Sequence, residues 1–265
     1  MMDLGTDRMI ARREGGIGWM IFNAPDRRNA VSFAMWQAIP KILKAFSEDD
    51  EVRVIVMRGE GGKAFVSGAD ISEFAEKRST PEQVVSYNDA TEAAHAAMDG
   101  LEKPFIAMIQ GFCIGGGLAT ALDADIRIAS DDSKFGVPAA KLGLGYAYDG
   151  IKRLMDLVGP SCAKEIFFTA KHFTAAEALR MGLINKVVPV ADLEATVRDY
   201  AETIAGNAPL TVKAVKATVG EGVKNPDDRD LGMIERMVKA CFDSADYIEG
   251  RTAFMEKRKA AFKGR

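Results

Sequence analysis

Between residues 111 and 130 the chain reads GFCIGGGLATALDADIRIAS, with Gly115, Gly116 and Gly117 set between an apolar run and a helical pattern. Glycine at such a place lets the chain turn tightly and lets a ligand reach backbone N–H groups, and the positive end of the following helix favours an anion. The alternative is a packing cluster without a ligand, in a chain that has 25 glycines. Neither phosphate motif fits, because no Gly-Lys-Ser/Thr follows and G-x-G-x-x-G is missing. A second stretch, GKAFVSGADISEF over 62–74, again places a glycine, Gly68, between a strand-like run and a helix start. Two such turns can aim two N–H donors at one oxygen, and each well-placed donor lowers a transition state by about 3–4 kcal/mol.

Reaction at that oxygen needs an acid–base partner. The stretch KLGLGYAYDG over 141–150 offers Tyr146, Tyr148 and Asp149. Tyr146 reads as a catalytic hydroxyl or as pocket lining, and Asp149 as an acid–base or as the N-cap of the helix that GIKRL opens. His95 falls in the helical segment ATEAAHAAM, whose small residues mark it as a packing or surface residue. Cys113 has no histidine nearby in sequence to activate it, so a nucleophilic role is not expected. The two histidines, His95 and His172, lie in unrelated segments and are too few for a His/Cys metal cage. No metal is expected.

These residues need a scaffold. GWMIFN (18–23), RVIVMRG (53–59), PFIAMIQG (104–111), DIRIAS (125–130) and INKVVP (184–189) read as strands, and their apolar character predicts burial on both faces. Helical patterns at 32–48 and 163–169 lie between some of them, so the alternation predicts an α/β layered fold. Thr174 with Glu177 reads as a capping box, and Gly182 as the glycine that ends that helix. The polar run EKRSTPEQ (76–83) reads as an exposed loop. From Asn207 the pattern turns helical, with Pro209 in a first turn, so a C-terminal helical subdomain is expected over 206–265 behind a core of 1–205. Its apolar Met233, Met237, Phe242, Phe254 and Phe262 suit a core or a subunit interface.

A chain of 265 residues with 48% hydrophobic and 28% charged content is an ordinary folded protein. A net charge of -3 and a pI of about 5.6 give no broad positive field for a nucleic acid. Three cysteines, odd in number and far apart, fit a reducing compartment, so the cytoplasm is expected. The N-terminus lacks an apolar signal segment, and no run reaches the roughly 18 apolar residues of a membrane span.

Six ordered stretches, NAPDRRNAV, KAFVSGADI, QGFCIGGGLATALDADIRIA, FGVPAAKLGL, TAAEALRMGLINKVVP and EGRTAFMEKRKAAF, resemble the enoyl-CoA hydratase/isomerase (crotonase) superfamily from about residue 8 to the C-terminus. The resemblance implies a spiral of ββα units with a C-terminal helical trimerisation region, a homotrimer or a dimer of trimers. It implies an oxyanion hole for an acyl-CoA thioester, built by the N–H groups of Ala69 and Gly116, with coenzyme A carried by the substrate and no separate cofactor. It places CoA contacts at Arg28, Ser67, Ala69, Asp70, Ile71 and Ser72, with Phe254 and Lys257 reaching the CoA of a neighbouring subunit. Asp70 and Glu73 stand where the family has acidic residues with structural roles.

One departure bears on the reaction. Hydratases of the family carry two glutamates, at positions that here hold Ala119 and Ala139, and an alanine cannot transfer a proton. The Tyr146 segment partly resembles methylmalonyl-CoA decarboxylase, although such enzymes have a histidine where Ala69 stands. Asp123, four residues beyond Ala119 on the same helix face, reads as an ion pair or interior carboxylate. The expected function is an acyl-CoA enzyme of this superfamily, a hydratase-like lyase or isomerase, that stabilises a thioester enolate, with ordinary water addition put in doubt by the two alanines. The alternatives are decarboxylation of a malonyl-type CoA and an acyl-CoA binding protein without turnover, while RNA binding lacks a basic stripe.

Overall fold

Strand β2 (Ile17–Phe22) shows why the sheet is built as it is: all six of its residues are buried, and their side chains alternate between two apolar layers. The computed structural model describes residues 2–77 and 79–265. In chain order the strands are β1 (Met9–Glu14), β2 (Ile17–Phe22), β3 (Val54–Gly59), β4 (Ala64–Val66), β5 (Phe105–Ile109), β6 (Phe112–Ile114), β7 (Ile126–Ser130), β8 (Lys134–Gly136), β9 (Phe173–Thr174) and β10 (Lys186–Val188). The helices are α1 (Phe33–Glu48), α2 (Phe74–Lys77), α3 (Pro81–Asp99), α4 (Gly116–Leu122), α5 (Ala139–Leu142), α6 (Tyr148–Thr169), α7 (Ala175–Arg180), α8 (Leu193–Ala205), α9 (Pro209–Gly222), α10 (Leu231–Asp243) and α11 (Ala245–Glu256).

The larger sheet runs β1-β2-β3-β5-β7-β10, parallel except for the antiparallel β1–β2 edge. On one face Met20, Phe22, Ile55, Met57, Phe105 and Ala107 join the main core with Met35, Ile39 and Ile42 of α1. On the other, Ile17, Trp19, Ile21, Val54, Val56 and Ile106 pack on Leu193, Val197 and Ala201 of α8. A parallel sheet with both faces covered demands continuous apolar strands, which is why these were legible. β1 is an edge strand carrying Arg12, Arg13 and Glu14, and its charged outer face hid it.

The smaller sheet runs β4-β6-β8-β9, with β4, β6 and β8 parallel. β3 leads into β4, β5 into β6 and β7 into β8, each pair followed by helix, so successive turns of chain stack as ββα units. This is the expected spiral. Because β4, β6 and β8 are parallel neighbours, the turns leaving their C-terminal ends emerge side by side.

The segment 76–83 differs from the expected loop. α2 runs to Lys77, and Thr80 caps α3 with Pro81 as the first helical residue; Thr80 Oγ1 accepts from Gln83 N at 3.3 Å, and Gln83 Oε1 accepts from Thr80 N at 3.3 Å. Arg78 lies outside the described residues. The box of Thr174 with Glu177 forms as expected, and Gly182 takes φ +78° just past α7. Beyond Pro209 the chain is mainly helical; α10 has no fully buried residue, and Val215, Val219, Val238, Phe242, Phe254 and Met255 are exposed. Among the described residues no helix is long and apolar enough to cross a membrane.

Candidate active site

The turns after β4, β6 and β8 meet at a cavity of about 860 Å³. Gly68, Ala69 and Asp70 come from the first turn, Gly115, Gly116 and Ala119 from the second, and Pro138 and Ala139 from the third. Each glycine of the triplet has its own reason. Gly115 takes φ +56° as the N-cap of α4 and donates its N–H to Gly136 O over 2.8 Å, which ties the turn to β8. A methyl carbon on Gly117 would stand 2.0 Å from Val66 O, so only glycine lets α4 sit on β4. Gly116 lines the cavity.

A methyl carbon on Gly116 would lie 3.6 Å from Ala69 N and 3.7 Å from Gly68 Cα. Covalent geometry then holds the two amide nitrogens no more than about 6 Å apart, a span within reach of one oxygen that accepts from both over up to about 3.2 Å. Val31 N donates to Gly68 O at 2.8 Å, and Asp70 N donates to Val31 O at 2.9 Å. This parallel bridge uses the groups flanking Ala69, so the Ala69 N–H points away from Val31. Gly116 opens α4, and the first N–H groups of a helix have no partner within it.

The first turn is clamped from outside. Asp70 is buried, and its carboxylate accepts from Ser72 Oγ at 2.6 Å, Ser72 N at 3.1 Å and Arg27 Nη1 at 2.9 Å. Burial pushes its pKa up, but the Ser72 and Arg27 hydrogen bonds outweigh it and hold the carboxyl below the usual range. Glu73 accepts from Phe33 N at 2.9 Å and so fastens the turn to the start of α1. Both acids thus hold the turn in place.

Of the residues expected to contact CoA, Ser67, Ala69, Asp70, Ile71 and Ser72 line the cavity. Arg28 does not; it sits in the left-handed region at φ 52° with its guanidinium 5.4 Å over the Phe112 ring, and its neighbour Arg27 lines the cavity instead. Phe254 and Lys257 stand at the end of α11, outside this cavity. Tyr146 is in the wall, packed edge-on against Phe167 at 5.0 Å, and burial pushes its phenol pKa up. Asp149 is neither in the wall nor the expected N-cap: it is the second residue of α6, exposed, and Ala147 holds the cap position because the helix begins one residue before Asp149. Cys113 is buried, and burial drives its thiol pKa far above the ordinary value, which removes it as a nucleophile.

The wall also contains residues that sequence reasoning passed over. Trp36 donates its indole N–H to Tyr87 Oη at 3.2 Å, and His95 lies beside Trp36 with ring centroids 5.6 Å apart. His95 was expected as packing or surface. Instead it lines the cavity, and its Nδ1 lies 2.6 Å from Asp123 Oδ2. Asp123 also pairs with Arg153 of α6, which pairs in turn with Asp99 at 2.6 Å, so the expected ion pair exists and reaches the site through the imidazole. Ala119 and Ala139 line the same wall with methyl groups alone.

A model of the enoyl-CoA hydratase/isomerase family matches residues 12–265. The short-chain-enoyl-CoA hydratase of Clostridium acetobutylicum is 36% identical over 260 residues, covering 98% of this chain and 99% of that protein. The crotonyl-CoA hydratase of Syntrophomonas wolfei is 35% identical, over 98% of this chain and 99% of that one. A crystal structure of an enoyl-CoA hydratase/carnithine racemase from Magnetospirillum magneticum superposes with a TM-score of 0.92 at 34% identity, covering 98% of this chain and 97% of that chain.

Proposed function

The chain belongs to the enoyl-CoA hydratase/isomerase family, and from that premise we propose that it hydrates a short-chain enoyl-CoA by holding the thioester oxygen between the N–H groups of Ala69 and Gly116. The single observation that carries this reading is the juxtaposition of those two amides, delivered by adjacent parallel strands to one wall of one cavity. When water adds to the β-carbon of an enoyl thioester, the electron pair of the double bond moves to the carbonyl and an enolate oxygen appears. Two fixed N–H dipoles aimed at that oxygen stabilise it without reorganising.

The acyl end of the cavity is bounded by Leu142, Leu144 and Tyr146. Burial keeps the Tyr146 phenol protonated, so it serves as a neutral hydrogen-bond donor there. Ser67, Ile71 and Ser72, with Arg27, bound the end where CoA enters. No cofactor beyond the CoA of the substrate enters the proposal. The C-terminal region 206–265 is read as a trimerisation surface, supported by the exposed Phe242, Phe254 and Met255, and it would carry Phe254 and Lys257 to the CoA of a neighbouring subunit.

The reading is tested by incubating the protein with crotonyl-CoA, longer enoyl-CoA thioesters and methylmalonyl-CoA, with products followed by mass. The expected result is a gain of water on crotonyl-CoA. Loss of CO₂ from methylmalonyl-CoA with no hydration moves the assignment to decarboxylation, and tight binding with no product on any substrate overturns it.

A further inference from the structure

The proposed reaction needs a group that takes a proton from water and returns one to the α-carbon. Ala119 and Ala139 cannot do this, so the group lies elsewhere in the wall. The titratable side chains there are Arg27, Asp70, Tyr87, His95 and Tyr146. Arg27 and Asp70 are spent on each other, with Asp70 further held by Ser72. Tyr146 keeps its proton because burial raises its pKa, and Tyr87 accepts the Trp36 indole N–H. His95 differs from all of these: a carboxylate holds one ring nitrogen from behind, and the other is left for the cavity side of the ring.

We infer that His95, held by Asp123, is the general acid–base of this site. The inference rests on the reading of the cavity as a thioester-enolate site. His95 Nδ1 lies 2.6 Å from Asp123 Oδ2, and among the described residues no hydrogen bond is made by Nε2. A carboxylate on Nδ1 fixes the tautomer that leaves a lone pair on Nε2, and it stabilises the imidazolium once formed. The Asp123 side chain is 1% exposed while that of His95 is 28% exposed, which is the order expected when the carboxylate orients and the imidazole works at the cavity. Burial holds the Asp123 carboxyl above the usual carboxylate range, against the lowering pull of the His95 hydrogen bond and the Arg153 charge. Arg153 in turn is anchored to Asp99, so α3, α4 and α6 jointly fix the imidazole.

The step balances with no further reactant. Nε2 takes a proton from water as the water oxygen bonds to the β-carbon, and the double-bond pair moves through the α-carbon to the thioester oxygen under the two amides. The imidazolium then gives that proton to the α-carbon, the carbonyl re-forms and His95 is neutral again. One water is added and nothing is oxidised.

The test uses the full chain with His95→Gln, His95→Asn and Asp123→Asn. Each variant is assayed for crotonyl-CoA hydration, for calorimetric binding of unreactive butyryl-CoA and for thermal unfolding, and ¹⁵N spectra report the tautomer of His95, one of two histidines in the chain. Both His95 variants are expected to lose about 10²–10⁴-fold in kcat and to bind butyryl-CoA as the parent does. Asp123→Asn is expected to lower kcat with KM retained and to shift His95 from the Nδ1–H to the Nε2–H form. Either His95 variant turning over at the parent rate overturns this inference and leaves the two-amide site standing. A parent protein that neither binds butyryl-CoA nor hydrates crotonyl-CoA overturns the site reading itself, and this inference with it.

Discussion

Gly116 lies beside the amide of Ala69, with a methyl carbon on the glycine reaching van der Waals contact, 3.6 Å, with the alanine nitrogen. The contact joins turns from two different ββα units, and it exists because β4 and β6 run parallel as neighbours.

The Gly117–Val66 approach makes that geometry sensitive to one methyl group. Gly117→Ala places a carbon 2.0 Å from Val66 O, so α4 must move away from β4 and carry the Gly116 amide with it. Overpacking of this kind costs about 1–3 kcal/mol. Thermal unfolding is expected several degrees lower, with hydration lost. Gly220→Ala, in α9 with open space around it, is the control and is expected to keep parent stability or gain up to about 1 kcal/mol.

The Asp70 clamp gives a pH signature. Its folded pKa is depressed, so the stability it contributes is present above the unfolded carboxyl value of about 3.9 and is lost as pH falls through the folded value. In denaturant titrations Asp70→Asn is expected to be less stable than the parent at neutral pH, with the gap closing as the solution is acidified through the carboxylate range. A gap that stays constant down to strong acid contradicts the clamp.

Tyr146 separates a binding hydroxyl from a proton-transfer one. Removing one neutral hydrogen bond costs about 1 kcal/mol, or roughly a factor of 5 in kcat/KM. Tyr146→Phe is expected to show a loss of that size on crotonyl-CoA; a loss beyond about 10²-fold makes the phenol a proton donor in the reaction.

The exposed C-terminal face has its own measurement. Sedimentation of the parent chain is expected to give a trimer or a dimer of trimers, and Phe242→Glu with Met255→Glu to give smaller species. A parent that sediments as a monomer removes the proposed assembly.

How much of this was legible depends on the range over which the physics acts. The glycine turns were readable because a positive φ at Gly115 and a carbonyl pressed on Gly117 leave glycine no substitute. The buried strands were readable because both faces are covered, and β1 was not because its edge position tolerates charge. The start of α3 was missed although Thr80 and Gln83 carry the same capping-box spacing as Thr174 and Glu177; Ser79 and Pro81 beside them drew the reading toward a loop. Asp149 lies two positions beyond the cap that its reading required. The His95–Asp123 pair left no local signal at all, since the two residues are 28 apart, one within α3 and the other capping the end of α4, and only the fold brings them together.

The central claim is that one thioester oxygen sits between two backbone amides. A crystal structure with bound butyryl-CoA tests it most directly: the account predicts the carbonyl oxygen about 2.7–3.2 Å from both Ala69 N and Gly116 N. A ligand fully bound with that oxygen turned toward solvent, or touching only one of the two nitrogens, contradicts it.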